Sequence, residues 1–560
     1  MLIRRVVHVI FPYWRSCGVA VLAAGAAALL AHVQAPVVWK LAQRTLFYAD
    51  FAGLRELAST QGVPGGVLDW LARGLQVTGL GACGWVVYAL VAAVTVALWR
   101  FAFPARLGGL WPVLSLPAAL LAVYPACFIG TAVWSVECPS AGFCNALGLW
   151  TALGAFALAR RTKTWIAALV AAALFPWFGC YPLFSAIAAS VWCLPLAVVP
   201  WAVAAFLYHD LAPSAAYRGC EALFGDSGTR MLDVANACAF ACFLLAAWLP
   251  ALRAKLKFLV IRPRRSAALP AHVGAALPAY VGAAVPVFVA AALVSVVLIA
   301  RPRPDLRGLL ARERAVVERR WADVLAVAPG NDKPLRMESA YRILALQRLG
   351  QLPDRLFDEP MPASHVSAGT DEDLMDGHEL LFAYGLLLPA RQRIFERMSD
   401  TDWTPRYFQV LGDIALLYGE KELAARNYKH LLRCPYYRDL ARSRLALLEA
   451  KKLSVPPDLV PVAQLARAAN EMFSVEKLIF AGDTRNVERF VYDVFGSLKV
   501  CDETTVRLWL ASMLLNEDYS QLAKNRAVVE SLYGSVNAAP ECVRRALLAA
   551  GKESNSMGVK

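Results

Sequence analysis

Two aspartates stand where chemistry on a membrane-bound substrate would need them. Asp50 and Asp69 lie in the segment from about 34 to 76, between a first apolar run at 17–33 and a second at 77–99. A carboxylate on the outer side of a membrane bundle can deprotonate an acceptor hydroxyl or hold a metal beside a lipid phosphate. A polytopic glycosyltransferase or ligase acting on lipid-linked sugars would use it so. Asp50 is the first candidate base and Asp69 the second, with Asp210, Glu221 and Asp226 of a later loop able to assist. No paired carboxylates stand out, however, and interfacial carboxylates also serve simply to solvate a loop.

Other motifs fall short of chemistry. His378-Glu379 would begin a zinc-protease signature, but Phe382 and Ala383 occupy the place of the second histidine. Pro64-Gly65-Gly66 lacks the glycine spacing and the Lys-Ser/Thr of a phosphate loop and reads as a tight turn. No CxxC and no Cys/His spacing suits zinc, so neither metal nor cofactor is expected. Cys138 and Cys144 flank a short polar loop. They can form a local disulfide in an oxidising compartment or remain two thiols.

The elements that would position these residues divide sharply. The 560 residues carry a net charge of +14, but residues 1–300 hold only 20 Lys/Arg and 8 Asp/Glu, against 37 and 35 in 301–560. So low a charge density over 300 residues fits a bilayer. The reading is all-α: a transmembrane bundle at 1–300, then a soluble helical-repeat domain at 301–560. The excess positive charge belongs to short clusters between apolar runs, the pattern that orients spans, so no nucleic-acid partner is expected. Further apolar runs at about 110–128, 145–159, 164–180, 182–208, 233–250 and 276–300 follow the first two. Putting every basic cluster on the cytoplasmic side requires three passes within 164–209 and gives about nine spans. The N-terminus is then cytoplasmic and the tail extracytoplasmic, in a bacterial inner membrane. The spans lack ionisable residues at mid-length, which argues against an ion-coupled transporter.

In the tail, helix pairs alternate with short turns. Between Tyr407 and Pro435, the residues Phe408, Leu411, Gly412, Gly419, Ala424 and Tyr428 fall close to the tetratricopeptide pattern. Gly412 and Ala424 allow two helices to approach, and Tyr428 fills the gap to the next unit. Such stacks bind partners along a groove, and the exposed groove residues expected here are Arg406, Gln409 and Asp413.

Four segments resemble a bacterial family of multi-pass membrane proteins whose domain has no assigned function: Leu46-Phe-Tyr-Ala-Asp50, Pro64-Gly-Gly-Val-Leu-Asp69, Gly350-Gln-Leu-Pro-Asp-Arg-Leu-Phe357 and Ala424-Ala-Arg-Asn-Tyr-Lys-His-Leu431. The resemblance implies a bundle of spans followed by a tetratricopeptide-like tail, and it supplies no catalytic residues. A scaffold for protein interaction or envelope assembly is the first functional expectation, lipid-linked sugar transfer the second and transport the third.

Overall fold

The computed structural model describes most of residues 2–60, 65–103, 115–120, 139–207, 242–247, 304–328, 334–361, 371–400, 403–450, 453–470 and 502–557, with single positions between 491 and 496. Among the described residues every regular element is helical. The chain forms two compact units, one of Met1–Pro302 with Arg433–Tyr436, the other of Arg303–Leu432 with Tyr437–Lys560.

In the first unit, α1 (Leu2–Val33), α2 (Ala35–Arg44), α3 (Phe51–Thr60) and α4 (Gly66–Gln76) lead to α5 (Gly84–Ala102). Then follow α6 (Ala141–Arg161), α7 (Thr164–Phe178), α8 (Tyr181–Ala189) and α9 (Val199–Leu207). Helix α1 packs along α5, and α4 packs on α6 and α7. Their core is aromatic, with Tyr88, Trp99, Phe103, Phe143, Phe156 and Tyr181 all buried.

Nine spans are not what these helices form. Among the described residues two are long and apolar enough to cross a bilayer, Gly84–Ala102 and Gly142–Arg161. A third arises only if Cys17–Val33 and Ala35–Arg44, bent by 79° at Gln34, count as one span. The physical reason lies in the 164–209 run, where three passes were expected. Gly179 stops α7 at 15 residues, α8 has 9, a tight 3-10 segment containing Pro195 has 8, and α9 has 9. A span requires about 20 residues. The expected runs at 110–128, 233–250 and 276–300 lie mostly or wholly outside the described residues, as do Asp210, Glu221, Asp226 and Cys138.

The second unit begins with α10 (Pro304–Val317), α11 (Trp321–Ala326), α12 (Arg336–Arg348), α13 (Asp371–Ala383) and α14 (Leu387–Asp400). It continues with α15 (Pro405–Tyr418), α16 (Lys421–Leu432), α17 (Arg438–Glu449) and α18 (Val460–Asn470). It closes with α19 (Glu503–Leu515), α20 (Tyr519–Lys524), α21 (Arg526–Tyr533) and α22 (Glu541–Met557). Consecutive helices pair off, α13 with α14 and α15 with α16. Local sequence sets the limits of α15. Thr404 accepts a hydrogen bond from the Tyr407 amide at 3.2 Å, Pro405 opens the helix, and Gly419 ends it with φ 78°. These are the start and stop signals that a side-chain cap, a proline and a left-handed glycine supply.

Candidate functional site

Helix α4 carries Asp69, Arg73 and Gln76 four and three residues apart, which places them on one face. All three are buried. Arg73 Nε donates to Asp69 Oδ2 at 2.8 Å, and Ser140 Oγ donates to Asp69 Oδ1 at 3.0 Å. The Cys144 thiol approaches the same Oδ1 at 3.6 Å. Ser140 is the N-cap residue of α6, so the carboxylate sits at the positive end of that helix, where negative charge is favoured. Nearby, Tyr181 donates to Asn145 Oδ1 at 2.8 Å, and Gln76 Nε2 lies 3.5 Å from the Tyr88 hydroxyl. Asp69 thus clasps α4 to the start of α6, and both of its oxygens are engaged. Serving as a proton acceptor would require it to give up these partners.

Two of the segments that carry the family resemblance meet at this clasp. Trp70 donates to the Tyr48 carbonyl at 2.9 Å and Arg73 to that of Leu46 at 3.4 Å, while the Phe47 and Trp70 rings lie 5.4 Å apart. Asp50, at the end of the first segment, accepts from the Gly53 amide at 2.6 Å and from Arg433 at 2.8 and 3.1 Å. Arg433, part of this unit, also lies 3.8 Å over the Tyr48 ring and 3.4 Å from Glu56. The Arg433 hydrogen bond holds the Asp50 carboxyl below the usual range. A carboxylate so stabilised is a weak proton acceptor near neutral pH.

In the second unit the expected groove residues are inside. Arg406 and Gln409 are each 7% exposed and Asp413 is 0% exposed. Residues from Pro405 to Leu416 are buried without interruption, so this stretch of α15 is enclosed on every side and offers no face to a partner. Arg406 grips Glu379 of α13 with two 2.6 Å hydrogen bonds. Asp413 accepts from Tyr428 of α16 at 2.7 Å and from Arg444 of α17 at 3.0 Å. Arg444 continues to Asp458 at 2.6 Å, which also pairs with Arg319 at 2.6 Å. Sequence reasoning missed Glu379, Arg444 and Asp458 as members of this network. The available signal was that α15 has only two charged residues, Arg406 and Asp413, in 14. Charges on so apolar a helix need buried partners.

The two buried carboxyls respond oppositely to acid. Burial alone would raise Glu379, but the Arg406 guanidinium outweighs it and holds the carboxyl well below its usual range. Burial raises Asp413, with Arg444 and Tyr428 only partly offsetting it. A depressed folded-state value stabilises fully above the unfolded carboxylate pKa, about 4.3 for Glu, and the contribution declines progressively as pH falls from there through the folded-state value. Asp413 has the reverse sign, since protonation favours its folded form. The stability advantage of wild type over Glu379→Gln should therefore be constant down to about pH 5 and shrink progressively from there to about pH 3. Urea melts of the two proteins across that range check this; a gap that widens in acid would contradict it.

Among the described residues no three His, Cys, Asp or Glu side chains converge as metal ligands would. His378 packs edge-on to the Tyr407 ring with centroids 5.1 Å apart, and its Nε2 lies 3.5 Å from Glu379. No curated protein and no solved structure is significantly similar to the chain. One family model spans nearly its whole length, matching residues 11–557, and the chain belongs to that family, DUF6057, a family of unknown function.

Proposed function

We propose that this protein is a multi-pass anchor of a bacterial cytoplasmic membrane whose tetratricopeptide-like second unit serves as an extracytoplasmic scaffold for protein assembly. The observation that carries the reading is the outer surface of the first unit. Val21, Leu22 and Leu29 of α1, Leu90, Val94 and Phe101 of α5, and Trp165, Leu169 and Trp177 of α7 are all large, apolar and exposed. Exposed apolar area of this extent is stable against lipid and not against water. Trp85, Trp165, Trp177 and Trp201, near helix ends, suit the aromatic belts of a bilayer interface.

The pairing of α5 with α6 supports a membrane topology. Their N-terminal ends meet through the Tyr88 and Phe143 rings, 4.9 Å apart, and near their C-terminal ends Arg161 lies 3.9 Å over the Phe101 ring. The two helices therefore run parallel. Parallel spans need a return crossing between them, and the apolar run at 110–128 has the length for one. Arg100, Arg160 and Arg161 mark the shared cytoplasmic end. The Asp69 clasp then lies on the outer side.

The scaffold is favoured over sugar transfer because both candidate bases are already tied down. Asp50 is held by Arg433, and Asp69 by Arg73 and Ser140. The full chain should stay in the membrane pellet after alkaline carbonate extraction and require detergent for release. In spheroplasts, external protease should reach the second unit. Recovery in the soluble fraction defeats the anchor, and complete protection of the second unit places the scaffold on the cytoplasmic side.

A further inference from the structure

The second unit contains an open groove of about 540 Å³. One wall is α22, which presents Cys542, Ala546 and Ala549 four and three residues apart on one face. A second part of the lining is the 354–358 turn, where Phe357 is half-exposed. Leu514 and Tyr519, from the α19–α20 junction, complete the apolar lining. Small side chains on one wall and aromatic rings among the others leave room for an inserted bulky apolar group. The volume falls in the usual range of sites that take such a group, about 300–1,000 Å³.

Charge along the lining selects the occupant. Asp354, Asp358 and Glu541 line the groove, against Arg545 as the one cationic side chain there. Arg507 reaches Asp354 at 3.4 Å and Arg355 reaches Asp358 at 2.7 Å, both from outside the lining. Arg545 pairs with Glu541 along α22. The three carboxylate side chains are 45%, 47% and 63% exposed in these pairs. Solvent-exposed pairs contribute little net stability, so displacing them costs little. A lysine or arginine entering with an apolar neighbour would therefore meet carboxylates it can take over.

We propose that this groove docks a peptide segment of a partner protein in which a bulky apolar side chain is flanked by Lys or Arg. The proposal rests on the scaffold reading and moves its binding surface from the enclosed α15 to the face of α22. Peptides of this kind bind through an apolar anchor that supplies affinity and flanking charges that supply selectivity.

Cys542 is a reporter already in the groove. The full chain in nonionic detergent is treated with iodoacetamide, and alkylation of Cys542 is followed by mass spectrometry of its tryptic peptide. The probe is acetyl-Lys-Leu-Phe-Lys-amide; acetyl-Glu-Leu-Phe-Glu-amide, with the same apolar residues, controls for micelle partitioning. With a Kd of about 0.3 mM, 1 mM basic peptide should slow alkylation about fourfold, while the acidic peptide leaves the rate unchanged. Asp358→Asn with Glu541→Gln should remove most of that protection. Ala546→Trp, which fills the groove, should slow alkylation without peptide and abolish any further effect. Equal protection by both peptides, or none by the basic one, overturns the proposal. Two further results separate it from the scaffold reading. If Ala546→Trp leaves crosslinking of a partner in membranes undiminished, the scaffold stands and the groove falls. If the basic peptide alone protects Cys542 but the chain is not held by the membrane, the groove stands and the anchor falls.

Discussion

Replacing Arg406 by methionine should destabilise the second unit by about 3–5 kcal/mol, the usual cost of removing one member of a buried ion pair. The magnitude comes from what remains behind. Glu379 is 4% exposed and both of its oxygens bond to Arg406. Without the guanidinium, its charge must be buried alone or neutralised. His378 is the nearest other basic group, buried with its Nε2 3.5 Å from Glu379. Urea denaturation of the full chain in detergent, followed by hydrogen exchange of the α13 and α15 amides, should show a midpoint lower by at least about 1 M. Converting the partner as well, Glu379→Leu with Arg406→Met, should recover much of the loss, since an apolar pair of similar volume often replaces a buried ion pair without penalty. A neutral Arg406→Met would mean that the guanidinium is not enclosed. The residue would then return to the partner-facing surface that the repeat pattern suggested.

That contrast shows where the sequence stops being legible. The limits of α15 could be read locally, because Pro405 and Gly419 act through their own backbones. The close approach of α15 to α16 at Gly412 could also be read, because both belong to one helix pair; that the Tyr428 ring lies against Gly412, and not in the gap to the next unit, could not. Which side of α15 faces water could not. It depends on Glu379, 27 residues upstream of Arg406, and on Arg444, 31 residues downstream of Asp413. A repeat motif specifies contacts inside a pair and leaves open what covers the pair. Asp69 is similar: its i,i+4 partner Arg73 is evident from spacing, whereas Ser140 lies 71 residues away across two apolar runs. The span count failed for a different reason. Hydropathy registers how apolar 164–208 is, but Gly179, Ser190 and Pro195 divide it into pieces too short to cross.

Gly412→Ala should destabilise the second unit, although the same change in an ordinary helix interior stabilises by about 1 kcal/mol. A Cβ at position 412 would lie 2.6 Å from one carbon of the Tyr428 ring and 3.0 Å from two more. A flexible exposed ring would swing aside. This ring is 0% exposed, and its hydroxyl is fixed to Asp413, which in turn holds Arg444. Withdrawal of the ring therefore also strains the tie from α15 to α17. Overpacking of this kind costs about 1–3 kcal/mol, enough to reverse the propensity gain, and Gly412→Leu should lie at or beyond the upper end. The sign is the decisive quantity. In a Tyr428→Leu background, where the ring is gone, Gly412→Ala should become neutral or stabilising. Thermal melts of the four proteins in that cycle provide the measurement. A stabilising Gly412→Ala in the wild-type background would sink the close approach of α15 to α16, and with it the packing that makes the 407–435 segment resemble a tetratricopeptide unit.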